Sequence, residues 1–167
     1  DGAVHAFIRD ITEEQSRADH AARVEAISGI GSWEFDPHTA KLTWSQNTYA
    51  IFGLDPERFA PDYETALALF DPESAPDLRR ALRALIEDGT AFDMSIAFVT
   101  AGGEKRRARA TGGVEREGDR IISVFGTFQD ITELYEAREE ARLARQQLQD
   151  AIEALPEGFV LFDKEDR

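Results

Sequence analysis

Apolar and polar residues alternate with period two over three stretches in the second half of the chain. In AFDMSIAFV, Phe92, Met94, Ile96 and Phe98 alternate with smaller or polar residues, as in a strand with one face buried. KRRARATGGVERE sets its charged residues on one face and Ala108, Ala110 and Gly112 on the other. RIISVFGTFQ places Ile122, Val124, Gly126 and Phe128 on one face. Ala101-Gly102-Gly103-Glu104 and Glu117-Gly118-Asp119 carry turn residues between these runs, so three antiparallel strands are predicted. A fourth and fifth come earlier. In GSWEFDPHTAKLTW, Trp33 and Phe35 alternate with polar neighbours, DPHT turns the chain, and Leu42 and Trp44 return.

Helical spacing fills the gap between the two groups of strands. Ser45 is an N-cap type before QNTYAIF, whose apolar face is Tyr49 and Phe52 and which Gly53 stops. A loop rich in Pro, Asp and Glu covers 54–62, and YETALALFD reads as a second short helical piece. PDLRRALRALIEDG is amphipathic, with Leu78, Leu82, Leu85 and Ile86 on one side and Gly89 at its end. The pattern predicts an α+β domain: two strands, short helices, then three strands.

After the last strand the period lengthens. Leu134, Ala141, Leu148 and Leu155 lie seven apart, and Ala137, Ala144 and Ala151 fill the intermediate positions. This is the a/d seam of a coiled coil, expected to pair with its copy in a parallel homodimer. The upstream helix, about 13–27, has a poorer pattern of Ala21, Val24 and Ile27.

Two strings recur. Asp10-Ile11-Thr12-Glu13 returns as Asp130-Ile131-Thr132-Glu133, and VEAISGIGSWEFD (24–36) is echoed by IEALPEGFVLFD (152–163). The order strand, DITE, helix, strand start therefore appears at both ends, which predicts a tandem array. Residues 1–12 would be the last strand and DITE of a preceding domain and 13–28 a linker helix. A complete domain would span 29–133, a coiled-coil linker 134–155, and the first strand of a following domain 156–167. The orphan strands are AVHAFI (3–8) and FVLFD (159–163). The first residue is not Met and the chain breaks off at DKEDR, so a segment of a longer protein is expected.

Charge narrows the partners. Asp and Glu number 33 against 19 Lys and Arg, a net charge of −14. That surface repels nucleic acid and anionic membranes, and no basic stripe offsets it. No nucleic-acid partner is predicted. No membrane contact is predicted within the chain either, since no run of apolar residues is long enough to span a bilayer. A cytoplasmic location is expected for this segment, with any membrane anchor of the parent outside it. With no cysteine there is no disulfide, thiolate metal site or cysteine nucleophile. The three histidines fall in different elements, Ser32 and Ser45 have no evident base, and no phosphate-binding loop pattern occurs. No catalytic residues and no metal site are predicted. Asp71, Glu73 and Asp77 form an acidic patch read as solvated surface.

Gly31, Trp33, Asp36, Trp44-Ser45, Phe52-Gly53-Leu54, Gly103, Gly126 and Gln129-Asp130-Ile131-Thr132-Glu133 together resemble a PAS domain, of the subtype with a GxWxxD…WS hairpin and a terminal DITE. The resemblance covers about 29–133. It implies a five-stranded antiparallel sheet with short helices on one face, used in sensory or dimerisation modules. It further implies tandem arrays joined by helices and an output domain in the same chain, a histidine kinase first and a diguanylate cyclase second. Two positions depart from it: Asp71-Pro72-Glu73-Ser74 stands where the family often has His-Pro-x-Asp, and Arg107 lies near a position where it often has Trp.

The predicted pocket between sheet and helices is lined by Trp33, Phe35, Tyr49, Phe52, Met94, Ile96, Phe98, Val124 and Phe128, with Ala110 and Gly126. A filled hydrophobic core is the favoured expectation for such residues; a cavity for a small apolar or aromatic ligand is the functional one. Sensors that bind flavin or another chromophore through cysteine are excluded by composition. Haem needs an axial ligand, usually His, and His5, His20 and His38 fall on no helix that would face the pocket. No cofactor is therefore predicted, and a small molecule or non-covalent flavin is left open. Gln129, Asp130, Thr132 and Glu133 are the expected relay: Asp and Thr are N-cap types and Glu133 acidifies the first turn, so the motif turns a strand into an exit helix. The alternatives are a ligand-free spacer and a scaffold binding partners on the outer sheet face at Phe125, Thr127, Arg107 and Arg109.

Overall fold

The computed structural model describes residues 20, 23–25 and 27–154. The strand-like runs at 3–8 and 159–163, the first DITE copy and Leu155 lie outside them. The alternating runs form strands β1 (Ile30–Asp36), β2 (Lys41–Trp44), β3 (Phe92–Val99), β4 (Lys105–Glu117) and β5 (Arg120–Asp130). They make one antiparallel sheet in the order β2-β1-β5-β4-β3. The first and last strands in sequence thus lie side by side at the centre, with Ile30 opposite Gln129 and Phe35 opposite Val124. Between β2 and β3 come helices α1 (Gln46–Phe52), α2 (Tyr63–Leu67) and α3 (Ala75–Asp88). After β5 the chain enters α4 (Thr132–Glu153). It divides into two units, one ending at Ile131 and the other beginning at Thr132.

The turns follow their residues. Gly103 and Gly118 take positive φ in the two hairpins of the second strand group. In the first hairpin Asp36 accepts from the His38 and Thr39 amides and from the Thr39 hydroxyl, which leaves Ala40 at positive φ. Gly53 and Gly89 end α1 and α3 in the left-handed conformation, as glycine does most readily. α2, only five residues long, is held by a capping box: Asp62 accepts from the Glu64 and Thr65 amides, and the Thr65 hydroxyl accepts from the Asp62 amide.

α1 lies against β1, fastened by hydroxyls. Ser45 Oγ accepts from the Ser32 amide at 3.0 Å, and Thr48 Oγ1 donates to the Ser32 carbonyl at 2.8 Å. This satisfies Thr48, which is 1% exposed and was not anticipated as a core position. The contact requires Gly31, because a Cβ there would stand 2.7 Å from the Thr48 backbone. The core between helices and sheet comprises Phe52, Leu67, Leu78, Ile96, Phe98, Ala108, Ala110 and Phe128, with Leu85 and Val124 also fully buried. The alternation in β3, β4 and β5 puts Ile96, Phe98, Ala108, Ala110, Val124 and Phe128 on this inner face as expected.

Gly31→Ala is expected to lower stability by about 1–3 kcal/mol, the usual cost of overpacking, read as a drop in the urea midpoint. Gly113→Ala is the control: its Cβ would meet only the Phe125 ring, at 3.8 Å, and the midpoint should barely move.

Acid should destabilise the domain. Hydrogen bonds from Thr39 and the His38 amide hold Asp36 below its ordinary 3.8. The Arg79 guanidinium, bonded to both Glu64 oxygens at 3.0 and 3.1 Å, holds Glu64 below 4.5. Arg109 does the same for Asp93. A carboxylate whose pKa falls on folding stabilises the native state above its unfolded value and loses that contribution as pH falls through the folded one. Stability should be flat above about pH 5 and decline progressively below the ordinary values of 4.5 and 3.8, measured by urea titrations across pH.

Candidate functional site

The inner face of the sheet carries unusually little side-chain bulk at its centre. Ala108, Ala110 and Gly112 on β4 and Gly126 on β5 leave room for large rings lying on the backbone. A Cβ on Gly126 would sit 2.6 Å from the Trp33 ring, and one on Gly112 2.3 Å from the Phe92 ring. Trp33 and Phe92, from strands at opposite sides of β5 and β4, approach each other across these glycines with centroids 6.4 Å apart.

Beside them runs a stack of three rings. Trp44 lies 5.0 Å from Phe52, and Phe52 lies 4.7 Å from Phe128, both nearly parallel. Phe98 and Phe70 pack edge-on against the lower two rings, at 5.2–5.9 Å. Aromatic pairs in such geometries are worth about 0.5–1.5 kcal/mol beyond burial, so the cluster is a rigid wall.

Between this wall and the helices remains a cavity of about 80 Å³. Trp33, Phe35, Phe52, Val124 and Phe128 line it, with Ala110. The other predicted pocket residues pack elsewhere. Phe98 and Ile96 are in the filled core, Met94 rests against that core, and Tyr49 meets Trp44 edge-on at 5.4 Å. The far wall comes from the helices: Tyr63, Ala66 and Leu67 of α2 and Leu78, Leu82 and Ile86 of α3, with Leu42, Trp44, Thr48, Phe70 and Phe92 completing the lining. The α3 residues belong to the amphipathic stripe already visible in sequence. That stripe marks a buried face without saying what it faces.

The lining is almost wholly apolar. Tyr63 brings one hydroxyl, whose pKa burial pushes up, and the Arg79 guanidinium sits 5.9 Å from its ring. Sites that hold drug-sized molecules or organic cofactors enclose about 300–1,000 Å³. The cavity, at about 80 Å³, falls below that range. Among the described residues no group of acidic or histidine side chains is placed to hold a metal, and no helix is long and apolar enough to cross a membrane.

The relay residues occupy the end of β5 and the start of α4. Gln129 pairs with Ile30 and Arg109 in the sheet. Asp130 takes an ion pair from Arg106 Nη1 at 3.0 Å, and Arg106 also binds Glu104 at 2.7 Å. The Ile131 amide donates to the Arg107 carbonyl, and Thr132 and Glu133 open α4. In α4 no residue is buried, and Leu134, Tyr135, Leu143, Leu148 and Ile152 are the exposed large apolar residues. Leu134 and Leu148 lie on the predicted seam with Ala137, Ala141, Ala144 and Ala151. On the outer sheet face Phe125 is 48% exposed. Thr127 Oγ1 lies 2.8 Å from Thr111 Oγ1, and Arg109 is paired with Asp93.

A single antiparallel sheet with short helices over one face defines a known α+β fold class. Solved structures share it. A sensory box histidine kinase/response regulator from Burkholderia thailandensis aligns over 75% of this chain and 95% of its own, with TM-score 0.62 at 20% identity. The N-terminal domain of a diguanylate cyclase with a PAS/PAC sensor from Marinobacter aquaeolei covers 64% of this chain and 98% of its own, with TM-score 0.58 at 15% identity. The family model of the PAS fold matches residues 41–128, more than half of the chain, and the chain belongs to this family. Sensor protein FixL of Bradyrhizobium diazoefficiens is 26% identical over 153 residues, which are 90% of this chain and 30% of that relative. The chain therefore spans less than a third of that relative's length.

Phe52→Ala is expected to cost about 3–5 kcal/mol, as for a buried Phe, since Phe52 touches four other rings. Phe125→Ala on the outer face should change stability by no more than about 0.5 kcal/mol. Urea unfolding of both variants checks the contrast.

Proposed function

We propose that this chain is a sensory and dimerisation module of a signal-transduction protein. A change in its sheet passes through the DITE motif into the α4 linker, toward a histidine kinase output domain in the same chain. The observation that carries this reading is the continuity of β5. Val124 and Phe128 wall the cavity, Asp130 ends the strand two residues later, and α4 starts at Thr132. A displacement of Phe128 by a ligand or partner event would reach Gln129 and Asp130 along the backbone, and the Arg106 ion pair ties Asp130 to β4. The kinase output is supported by the sensor relatives; the diguanylate cyclase neighbour supports the second choice of output. Neighbouring PAS domains and a cytoplasmic location are part of the same reading. They rest on the repeated DITE string and on the acidic composition.

In this reading α4 pairs with its copy along Leu134, Ala137, Ala141, Ala144, Leu148, Ala151 and Leu155. A relay has physical content only if that seam has two arrangements whose balance the sheet shifts. The size of the cavity favours a second reading, a PAS spacer without a ligand that relays or merely positions its neighbours. A volume of about 80 Å³ restricts any ligand held in this conformation to a small apolar one.

Insertions after Thr132 in the full-length protein test the relay. Seven inserted residues keep the heptad phase and should preserve regulated autophosphorylation; three or four rotate the seam and should lock or abolish regulation. Output indifferent to insertion length would show that α4 transmits nothing.

A further inference from the structure

We propose that α4 selects its partner by charge: a second copy of this chain, parallel and in register, joined by Glu133 to Arg138 and Glu140 to Arg145 of the other copy. The inference rests on the reading of α4 as a helix that forms a parallel dimer with its copy, and specifies which charged pairs select that partner and fix its register.

Some of the helix's charges bond within it and others are left unused. With Leu134, Ala141 and Leu148 at position a and Ala137, Ala144 and Ala151 at d, Glu139 and Gln146 fall at f and Arg142 and Gln149 at b. The in-helix side-chain bonds lie on these outer positions: Arg142 to Glu139 at 3.0 Å, Arg142 to Gln146 at 3.3 Å, and Gln149 to Glu153 at 3.2 Å. Glu133 and Glu140 fall at g, Arg138 and Arg145 at e, flanking the seam. None of these four takes part in an ion pair among the described residues.

Their spacing explains why. Charges on one helix meet at three or four residues' separation, and at those separations the four find only apolar, glutamine or like-charged residues along α4. The opposite charges stand five apart, about 140° around the helix axis, where they do not meet. Five apart is the g-to-e′ spacing across a parallel two-stranded coiled coil. By two-fold symmetry the two sequence pairs give four ion pairs. An antiparallel pairing would set Glu against Glu and Arg against Arg. A parallel slip of one heptad would lose part of the set and place Leu134 against Ala141. Each chain carries a net charge of −14, so bulk electrostatics opposes association and these local pairs act against it.

The test uses the chain as it stands and two charge variants, Glu133→Lys with Glu140→Lys and Arg138→Glu with Arg145→Glu. Sedimentation at low salt should show a dimer for the parent chain. Each variant alone should dimerise at least about tenfold more weakly, because four attractive pairs become repulsive. An equimolar mixture of the two should regain the lost affinity as a heterodimer, which a folding defect would not allow. Because the chain has no cysteine, Ala137→Cys supplies a single thiol at a d position near the start of α4, where a fully overlapped antiparallel copy would present Leu148 instead. Oxidation should cross-link it to its copy only in the parallel, in-register arrangement. A dimer whose affinity ignores the charge changes, or which fails to cross-link, overturns the charge selection alone. A parent chain that stays monomeric overturns both this inference and the dimer reading beneath it.

Discussion

The position of the Phe52 ring constrains much of the domain. It is clamped between Trp44 and Phe128, with Phe98 and Phe70 against its edges. One side chain therefore ties the end of α1 to β2, β3 and β5 at once. Small residues make the arrangement possible: Ala108 and Ala110 beneath the rings are fully buried and add no bulk. Phe128, at the end of this stack away from Trp44, is also the last inward-facing residue before the strand ends at Asp130. It cannot move far without disturbing Phe52, and Phe52 cannot move without disturbing Trp44.

The same economy of side chains sets the size of the cavity. Gly126 and Gly112 let Trp33 and Phe92 lie down on the sheet, where larger residues would prop them up. Rings lying flat occupy the space that upright rings would leave empty. The residual 80 Å³ is thus a consequence of sheet glycines as much as of the helices above. Close-packed interiors transmit strain rather than absorb it, which is what the relay reading asks of this packed floor.

Much of this was legible in sequence, for identifiable reasons. The strands of the second half were readable because each has one face buried, so period two is imposed on every residue. The helix ends were readable because Gly53, Gly89, Ser45 and Asp62 have local jobs that do not depend on the rest of the fold. The cavity was only half legible. Strand alternation identifies which residues face inward, but Phe98, Ile96 and Met94 face inward just as Phe128 does, and only the placement of α2 and α3 decides which inward residues line a void. The burial of Thr48 is not legible in the sequence for a related reason. A threonine becomes a core residue only once a carbonyl, here Ser32's, is brought to its hydroxyl and a glycine, here Gly31, leaves its path clear.

On the relay reading, the topology also sets where influence enters and leaves. β1 is the first strand and β5 the last, yet they are central neighbours, with Ile30 opposite Gln129 and Gly31 opposite Phe128. The incoming chain is held at this same end: Ser32 donates to the Glu25 carboxylate at 2.6 Å, and Asn47 donates to the Glu25 carbonyl at 3.3 Å. Entry and exit are thus one hydrogen-bonded strand pair apart, and the cavity-lining Phe128 stands next to Gln129 on the same strand. A shift at the entry reaches Gln129 through the β1–β5 ladder alone. A shift from the cavity must first move Phe128 against its ring stack. On the relay reading, this makes the module at least as well built to pass on a displacement from the preceding segment as to originate one from a ligand.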